Sequence, residues 1–248
     1  MGKISKQEKD RIKSLFDEGL SKHKIAKLLN LSRSSVIRYS GEKGAYNRPV
    51  KFFPIGYSKV DGEVVGIFTG DGSQYYEPRW GSYEITIHVG RNNPKYVEYV
   101  KNLYETHFNK KFWICQDKVC FKLRTKSKAM FRYFSNYLVY DPKLKHCTVR
   151  LIKTDLPNSF KIGFLRGLCD TDGTVSRKEN RTRIAFYTTS YALANQLCTI
   201  LSEMDIENSI YSNVREHRNE KELYSVIILK SSVDKFINIV KPLKARIG

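Results

Sequence analysis

Two stretches decide the fold: Glu63-Val-Val-Gly-Ile-Phe-Thr-Gly-Asp71-Gly72 and, 101 residues later, Phe164-Leu-Arg-Gly-Leu-Cys-Asp-Thr-Asp172-Gly173. Each reads as an apolar helix ending in Asp-Gly, where the glycine lets the chain turn out of the helix into a strand. At the same offset Gly62, Gly66 and Gly70 correspond to Gly163, Gly167 and Thr171, a small residue at every fourth position on one helical face. Faces stripped in this way let two helices cross with their backbones nearly touching, which brings Asp71 and Asp172 together at the end of the crossing. Two neighbouring carboxylates cannot both ionise cheaply in a protein interior, and a divalent cation relieves the repulsion. With no His or Cys beside them, such hard oxygen ligands favour Mg²⁺, with Mn²⁺ or Ca²⁺ as substitutes for binding, over zinc or copper. Cations so held activate water and stabilise the leaving oxygen of a phosphodiester.

The order of elements after each stretch repeats as well. Asp71-Gly72 is followed by strand patterns at Ser73–Tyr76 and Tyr83–Val89, a helix at Pro94–Phe108, strands at Phe112–Cys115 and Val119–Arg124, and a helix at Lys126–Leu138. Asp172-Gly173 is followed by strands at Thr174–Arg177 and Arg183–Tyr187, a helix at Tyr191–Met204, strands at Ser209–Arg215 and Leu223–Leu229, and a helix at Ser232–Val240. The fold class is therefore α+β, with two pseudo-symmetric αββαββα repeats spanning 55–157 and 158–248.

Residues 1–40 form a different kind of unit. Ser5, Ser21 and Ser32 are N-cap candidates for three short helices, Glu18-Gly19 ends the first, and Asn30 suits a left-handed turn before the third. Lys24 to Tyr39 resembles a helix-turn-helix: small Ala26 permits a close crossing, Val36 packs back on it, and Arg33, Ser34, Ser35 and Arg38 face a major groove. The stretch 41–54, with Gly, Asn and two Pro and no period, reads as a linker.

The balance of charge agrees with a nucleic-acid partner. The chain has 44 Lys and Arg against 25 Asp and Glu, a formal charge of +19, with a pI near 9.7. Neither a long apolar run nor an amphipathic basic helix beside an apolar anchor is present, which excludes a membrane role, and the amino-terminal residues lack a signal-peptide core. The expectation is an intracellular, DNA-associated protein. Five Cys without a C-x-x-C pair argue against structural zinc, and five scattered His give histidine acid–base chemistry little support.

Val64–Gly72 (VVGIFTGDG) and Leu165–Gly173 (LRGLCDTDG) resemble the two signature motifs of single-chain LAGLIDADG homing endonucleases; the first departs with Thr69-Gly70 where the family has Asp-Ala or similar. The resemblance implies two saddle-shaped antiparallel sheets in the DNA major groove, the motif helices as the interface, and Asp71 and Asp172 holding metal, with Gly70 and Thr171 completing the contacts. It implies cleavage of both strands of a long pseudo-palindromic duplex by a monomer whose internal pseudo-two-fold mirrors the site. A basic residue after the last helix of each half would touch the reacting phosphate or water: Lys145 in the first half, Lys244 or Arg246 in the second. Tyr75, Lys122, Arg124, Arg177, Lys178, Arg181, Arg183, Arg215 and Arg218 are the candidates for contacts with bases and phosphates, arginine being able to bond guanine with two donors. A DNA-binding transcription regulator without catalysis and an RNA maturase are the alternatives. Retention of both aspartates disfavours the first, and the helix-turn-helix, which suits duplex DNA better than folded RNA, disfavours the second.

Overall fold

The computed structural model describes residues 4–40, 52–79, 81–90, 93–178, 181–213 and 222–245. Arg215, Arg218 and Arg246, together with most of the 41–54 stretch, lie outside the described residues. The chain divides into two units, Met1–Lys51 and Phe52–Gly248, each with its own apolar core.

The small unit holds α1 (Lys6–Asp17), α2 (Lys22–Leu28) and α3 (Arg33–Tyr39) around Ile12, Leu15, Ile25, Ala26 and Val36. Its local chemistry is the one the sequence predicts. The hydroxyls of Ser5, Ser21 and Ser32 accept from the amides of Glu8, Lys24 and Ser35, and Ser5 with Glu8 completes a capping box. Gly19 (φ +85°) and Asn30 (φ +49°) occupy the left-handed region at the two helix ends.

The large unit repeats one motif. Its first half runs α4 (Lys59–Asp71), β1 (Gly72–Glu77), β2 (Ser82–Gly90), α5 (Pro94–Phe108), β3 (Trp113–Gln116), β4 (Cys120–Lys126) and α6 (Lys128–Ser135). A short link follows, made of β5 (Leu138–Val139), α7 (Lys145–Thr148) and β6 (Arg150–Leu151). The second half runs α8 (Asn158–Thr171), β7 (Gly173–Lys178), β8 (Arg181–Thr188), α9 (Tyr191–Ser202), β9 (Asn208–Asn213), β10 (Leu223–Ile228) and α10 (Val233–Val240). Each half forms a four-stranded antiparallel sheet, ordered β1-β2-β4-β3 and β7-β8-β10-β9, so the α+β reading of paired repeats holds.

Register separates the faces of each sheet. In β2, Ile85, Ile87 and Val89 are buried, and in β8 Ile184 and Phe186; between them stand residues that point away from the core. One apolar core, including Phe68, Phe134, Phe160, Phe164 and Phe236, runs through both halves. The helix expected over Lys126–Leu138 begins later, because Lys126 stays in β4 opposite Glu84 and Ser127 caps α6 through the Met130 amide. The link elements β5, α7 and β6 carry too few residues for a sequence period to reveal them.

Candidate active site at the helix crossing

The helices α4 and α8 lie in contact along their lengths, and glycines make the contact. A Cβ on Gly62 would strike the Phe160 carbonyl, one on Gly66 the Phe164 carbonyl, one on Gly163 the Lys59 carbonyl and one on Gly167 the Glu63 carbonyl. Each absent methyl is thus the place where the opposite backbone lies. At the lower end, a Cβ on Gly70 would meet the Thr171 side chain and stand 3.2 Å from Asp172 Cγ. The crossing therefore delivers Asp71, at the end of α4, and Asp172, just past the end of α8, to one place.

Their charges interact. Burial and the neighbouring Asp172 push the Asp71 carboxyl up to about 7, against the opposing pull of Lys244 and Lys145. Asp172 is raised too, chiefly by burial, although part of its side chain is open to solvent. Among the described residues no third His, Cys, Asp or Glu joins them in a group arranged for a metal.

Each aspartate opens into its own cleft. Asp71 lines one of about 380 Å³ with Asp170, Thr171 and Lys244; Asp172 lines one of about 480 Å³ with Gly70, Gly72, Lys145 and Tyr187. The two lysines hold equivalent carbonyls at the ends of the two helices. Lys145 Nζ donates to the carbonyls of Phe68 (2.8 Å), Thr69 (2.7 Å) and Gly72 (2.7 Å), with Gly70 at 3.4 Å. Lys244 Nζ donates to Thr171 (2.8 Å) and Gly173 (2.7 Å). A cation at a helix carboxyl end satisfies carbonyls of the last turn and complements the dipole; the Phe68 carbonyl also accepts the Gly72 amide. Burial pushes the Lys145 ammonium down to about 8, with Asp172 and Asp71 holding it up.

The open faces of the sheets carry the other candidates, and the two sheets differ. On the first, Ser73, Tyr75, Glu84, Thr86, His88, Lys122, Arg124 and Trp113 share one face by register. Its candidate cations are already engaged: Arg124 pairs with Glu84 (2.6 Å) and Lys122 with Asp117 (2.7 Å), while the Tyr75 hydroxyl donates to Glu77 (3.0 Å) and Lys126, opposite Glu84 on the same face, is exposed. On the second sheet Lys178, Arg181, Arg183, Tyr187 and Tyr211 share the open face. Lys178, Arg181 and Arg183 have no carboxylate partner among the described residues. Arg177 stands opposite Thr182 on the other face, with Val175 and Ile184, and so points away from this surface. In the small unit Arg33, Ser34 and Arg38 are exposed, whereas the Ser35 hydroxyl lies 2.8 Å from that of Ser32 within the cap of α3.

Sequence reasoning missed three features. Trp113 (45% exposed) and Tyr211 (57% exposed) lie on the open faces, where a period-two reading of β3 and β9 would have placed them. Glu63 and Arg166 form a buried ion pair across the crossing (3.2 Å), with the Tyr99 hydroxyl donating to the same carboxylate. Asp170, four residues after Arg166, is 4% exposed and accepts from the Lys244 amide (3.0 Å). Arg166 and Asp170 inside a helix of mostly apolar residues were the available signal.

Comparison with known proteins agrees with this fold. Residues 159–241 match the family model of the LAGLIDADG-like domain, and residues 2–42 that of the helix-turn-helix domain of resolvase. An uncharacterized protein of Methanocaldococcus jannaschii is 23% identical over 210 residues, which make up 81% of this chain and 71% of that protein. A DNA polymerase of Thermococcus hydrothermalis is 22% identical over 159 residues, and there the match spans 63% of this chain and only 9% of the polymerase. Among solved structures, I-DmoI in complex with DNA and Mn superposes with a TM-score of 0.58 at 19% identity, covering 75% of this chain and 97% of I-DmoI. The homing endonuclease I-WcaI bound to its DNA recognition sequence gives 0.53 at 16% identity, covering 81% and 89%. The N-terminal LAGLIDADG domain of WhiA gives 0.51 at 14% identity, covering 79% and 90%.

Proposed function

We propose that the chain is a site-specific endonuclease that hydrolyses both strands of duplex DNA, with divalent metal held by Asp71 and Asp172. In support, residues 159–241 match a LAGLIDADG-like domain, residues 2–42 match the helix-turn-helix domain of resolvase, and the large unit has the fold of the single-chain homing endonucleases. The observation that carries the reading is the pair of mutually repelling carboxylates at the crossing, each opening into a cleft that also holds a lysine.

The donor set fits a hard cation: two carboxylates, with the Gly70 and Thr171 carbonyls close by, no imidazole or thiolate, and a charge repulsion that a cation removes. When bound, Mg²⁺ supplies polarisation of the phosphate and a lowered pKa for attacking water. The protein does the rest. The α4–α8 contact fixes the separation of the two carboxylates, so the two strands of one duplex are cut in fixed register. Lys145 and Lys244, pinned by backbone carbonyls, place positive charge beside Asp172 and Asp71, where charge develops on the phosphate. The open sheet faces follow the groove, with Arg181, Arg183 and Lys178 as ready donors, and Tyr75, Lys122 and Arg124 reaching DNA after exchanging their carboxylate partners. Arg33, Ser34 and Arg38 of α3 add contacts outside the cut site.

The test is a cleavage map on random-sequence duplex DNA with Mg²⁺. The reading expects double-strand breaks at one enriched sequence that the protein also protects. Protection without any metal-dependent break would leave a binding platform. Deleting residues 1–51 is expected to weaken binding and flatten its dependence on salt while the cut position stays, since lost phosphate contacts release fewer counterions.

A further inference from the structure

The 101-residue offset pairs Asp170 with Thr69, and the two residues do different things. The Thr69 hydroxyl donates back to the Val65 carbonyl of its own helix (2.8 Å) and reaches nothing in the segment that bears Lys145. That segment is braced otherwise. Lys145 opens the helical turn α7, Thr148 donates to the Leu144 carbonyl (2.8 Å) and accepts from the Asp141 amide (2.9 Å), and Thr189 donates to the His146 carbonyl (2.7 Å). Lys145 itself meets three carbonyls at 2.8 Å or less.

Lys244 has a thinner setting. It sits in a single 3₁₀ turn, Leu243–Ala245, after α10, and its ammonium holds two carbonyls. The turn is tied to the crossing through Asp170, whose Oδ1 accepts the Lys244 amide (3.0 Å). Asp170 is 4% exposed, lines the same cleft as Asp71, and its Oδ2 has no hydrogen-bond partner among the described residues.

We propose that the two reaction centres are unequal and that Asp170 makes them so: it is a positioning residue for the Asp71–Lys244 centre alone, holding the 3₁₀ turn that places Lys244, and it has no counterpart at the Asp172–Lys145 centre. The cleavage consequence rests on the nuclease reading above; the structural tie does not. A buried carboxylate that accepts a backbone amide restricts the turn more tightly than side-chain packing does, and removing it frees Lys244 to move by the fraction of an ångström that catalysis notices.

The test compares wild type, Asp170→Asn and Asp170→Thr, the last supplying the residue of the other half. Two readouts are taken. Hydrogen–deuterium exchange follows the carboxy-terminal peptide and, as reference, the peptide containing Lys145. Strand-resolved cleavage follows each labelled strand of the site that the wild type selects from a random duplex library. Expected in Asp170→Thr are faster exchange at the Leu243–Lys244 amides with the Lys145 peptide unchanged, and a loss of about 10- to 100-fold in the cutting of one strand, the other staying within about twofold. Asp170→Asn keeps a carbonyl acceptor for the Lys244 amide and is expected to recover most of both. Unchanged amide exchange in both variants overturns the proposal, and so does an equal slowing of the two strands, the signature of general destabilisation. A wild type that cuts neither strand sinks the nuclease reading, and the exchange experiment then decides alone whether Asp170 holds the turn.

Discussion

Gly163→Ala probes the feature on which everything else stands, the backbone contact between α4 and α8. The new Cβ would strike the Lys59 carbonyl oxygen and lie 2.8 Å from the Glu63 nitrogen, where ordinary van der Waals contact begins at 3.4 Å. Both obstacles are backbone, so no side chain can swing aside and the helices must separate. Alanine favours a helix over glycine by about 1 kcal/mol. Overpacking of this kind costs about 1–3 kcal/mol, and a clash of backbone on backbone belongs at or above the upper end. The net expectation is a destabilisation of about 2 kcal/mol, or a fall in Tm of about 4–8 °C for a unit of this size. Because Asp71 and Asp172 ride on the same helices, a separation near 1 Å is expected to lower cleavage by about 100-fold in addition. Gly90→Ala is the control: Gly90 is exposed, with nothing within 4 Å of the added methyl, and stability is expected to stay within about 0.5 kcal/mol of wild type. Thermal unfolding by circular dichroism reads all three proteins. Equal melting temperatures for Gly163→Ala and Gly90→Ala would refute the backbone contact and the carboxylate placement built on it.

Three further outcomes follow from the same geometry. Asp71 in the folded chain titrates near 7, well above the ordinary aspartate value of 3.8, so without metal the folded state binds more protons between those values and loses stability as pH rises through that window; Asp71→Asn is expected to flatten this slope and raise Tm at pH 8 more than at pH 4, and a steeper slope in the variant would contradict it. Lys145→Met takes the ammonium away from the carbonyls of Thr69 and Gly72 and leaves the Phe68 carbonyl with the Gly72 amide alone; it is expected to cost about 1–3 kcal/mol, more than Lys244→Met with its two carbonyls, by chemical denaturation, and the reverse order would count against the capping role. Arg183→Ala is expected to weaken duplex DNA binding more than Arg124→Ala, because Arg124 first has to leave Glu84; equal losses in fluorescence anisotropy would mean that the ion pair does not compete with DNA.

What the sequence made legible was whatever leaves a local or periodic trace. The serine caps of the small unit, the left-handed Asn30 and the small-residue faces of the motif helices are written in neighbouring residues, and each is found in the structure. Period-two alternation placed the buried side of β2 and β8 correctly. The duplication carried the topology, since an αββαββα order repeated at a fixed offset leaves few ways to arrange the strands.

The rest depends on contacts between residues far apart in the chain. Nothing local says that Arg124 is neutralised by Glu84, forty residues away, or that Asp170 meets the amide of Lys244. Arg177 shows a different limit. Its charge recommended it as a DNA contact, but one position of strand register decides the face on which a side chain stands, and Lys178, not Arg177, shares the open face with Arg181 and Arg183.

The most direct measurement is strand-resolved cleavage of a random duplex library by wild type, Asp71→Asn and Asp172→Asn, each with Mg²⁺ and with EDTA. The paired carboxylates predict cutting of both strands by wild type in Mg²⁺ only, and no double-strand breaks from either variant. Undiminished double-strand cleavage by either asparagine variant, or by wild type in EDTA, would contradict the assignment of metal to Asp71 and Asp172.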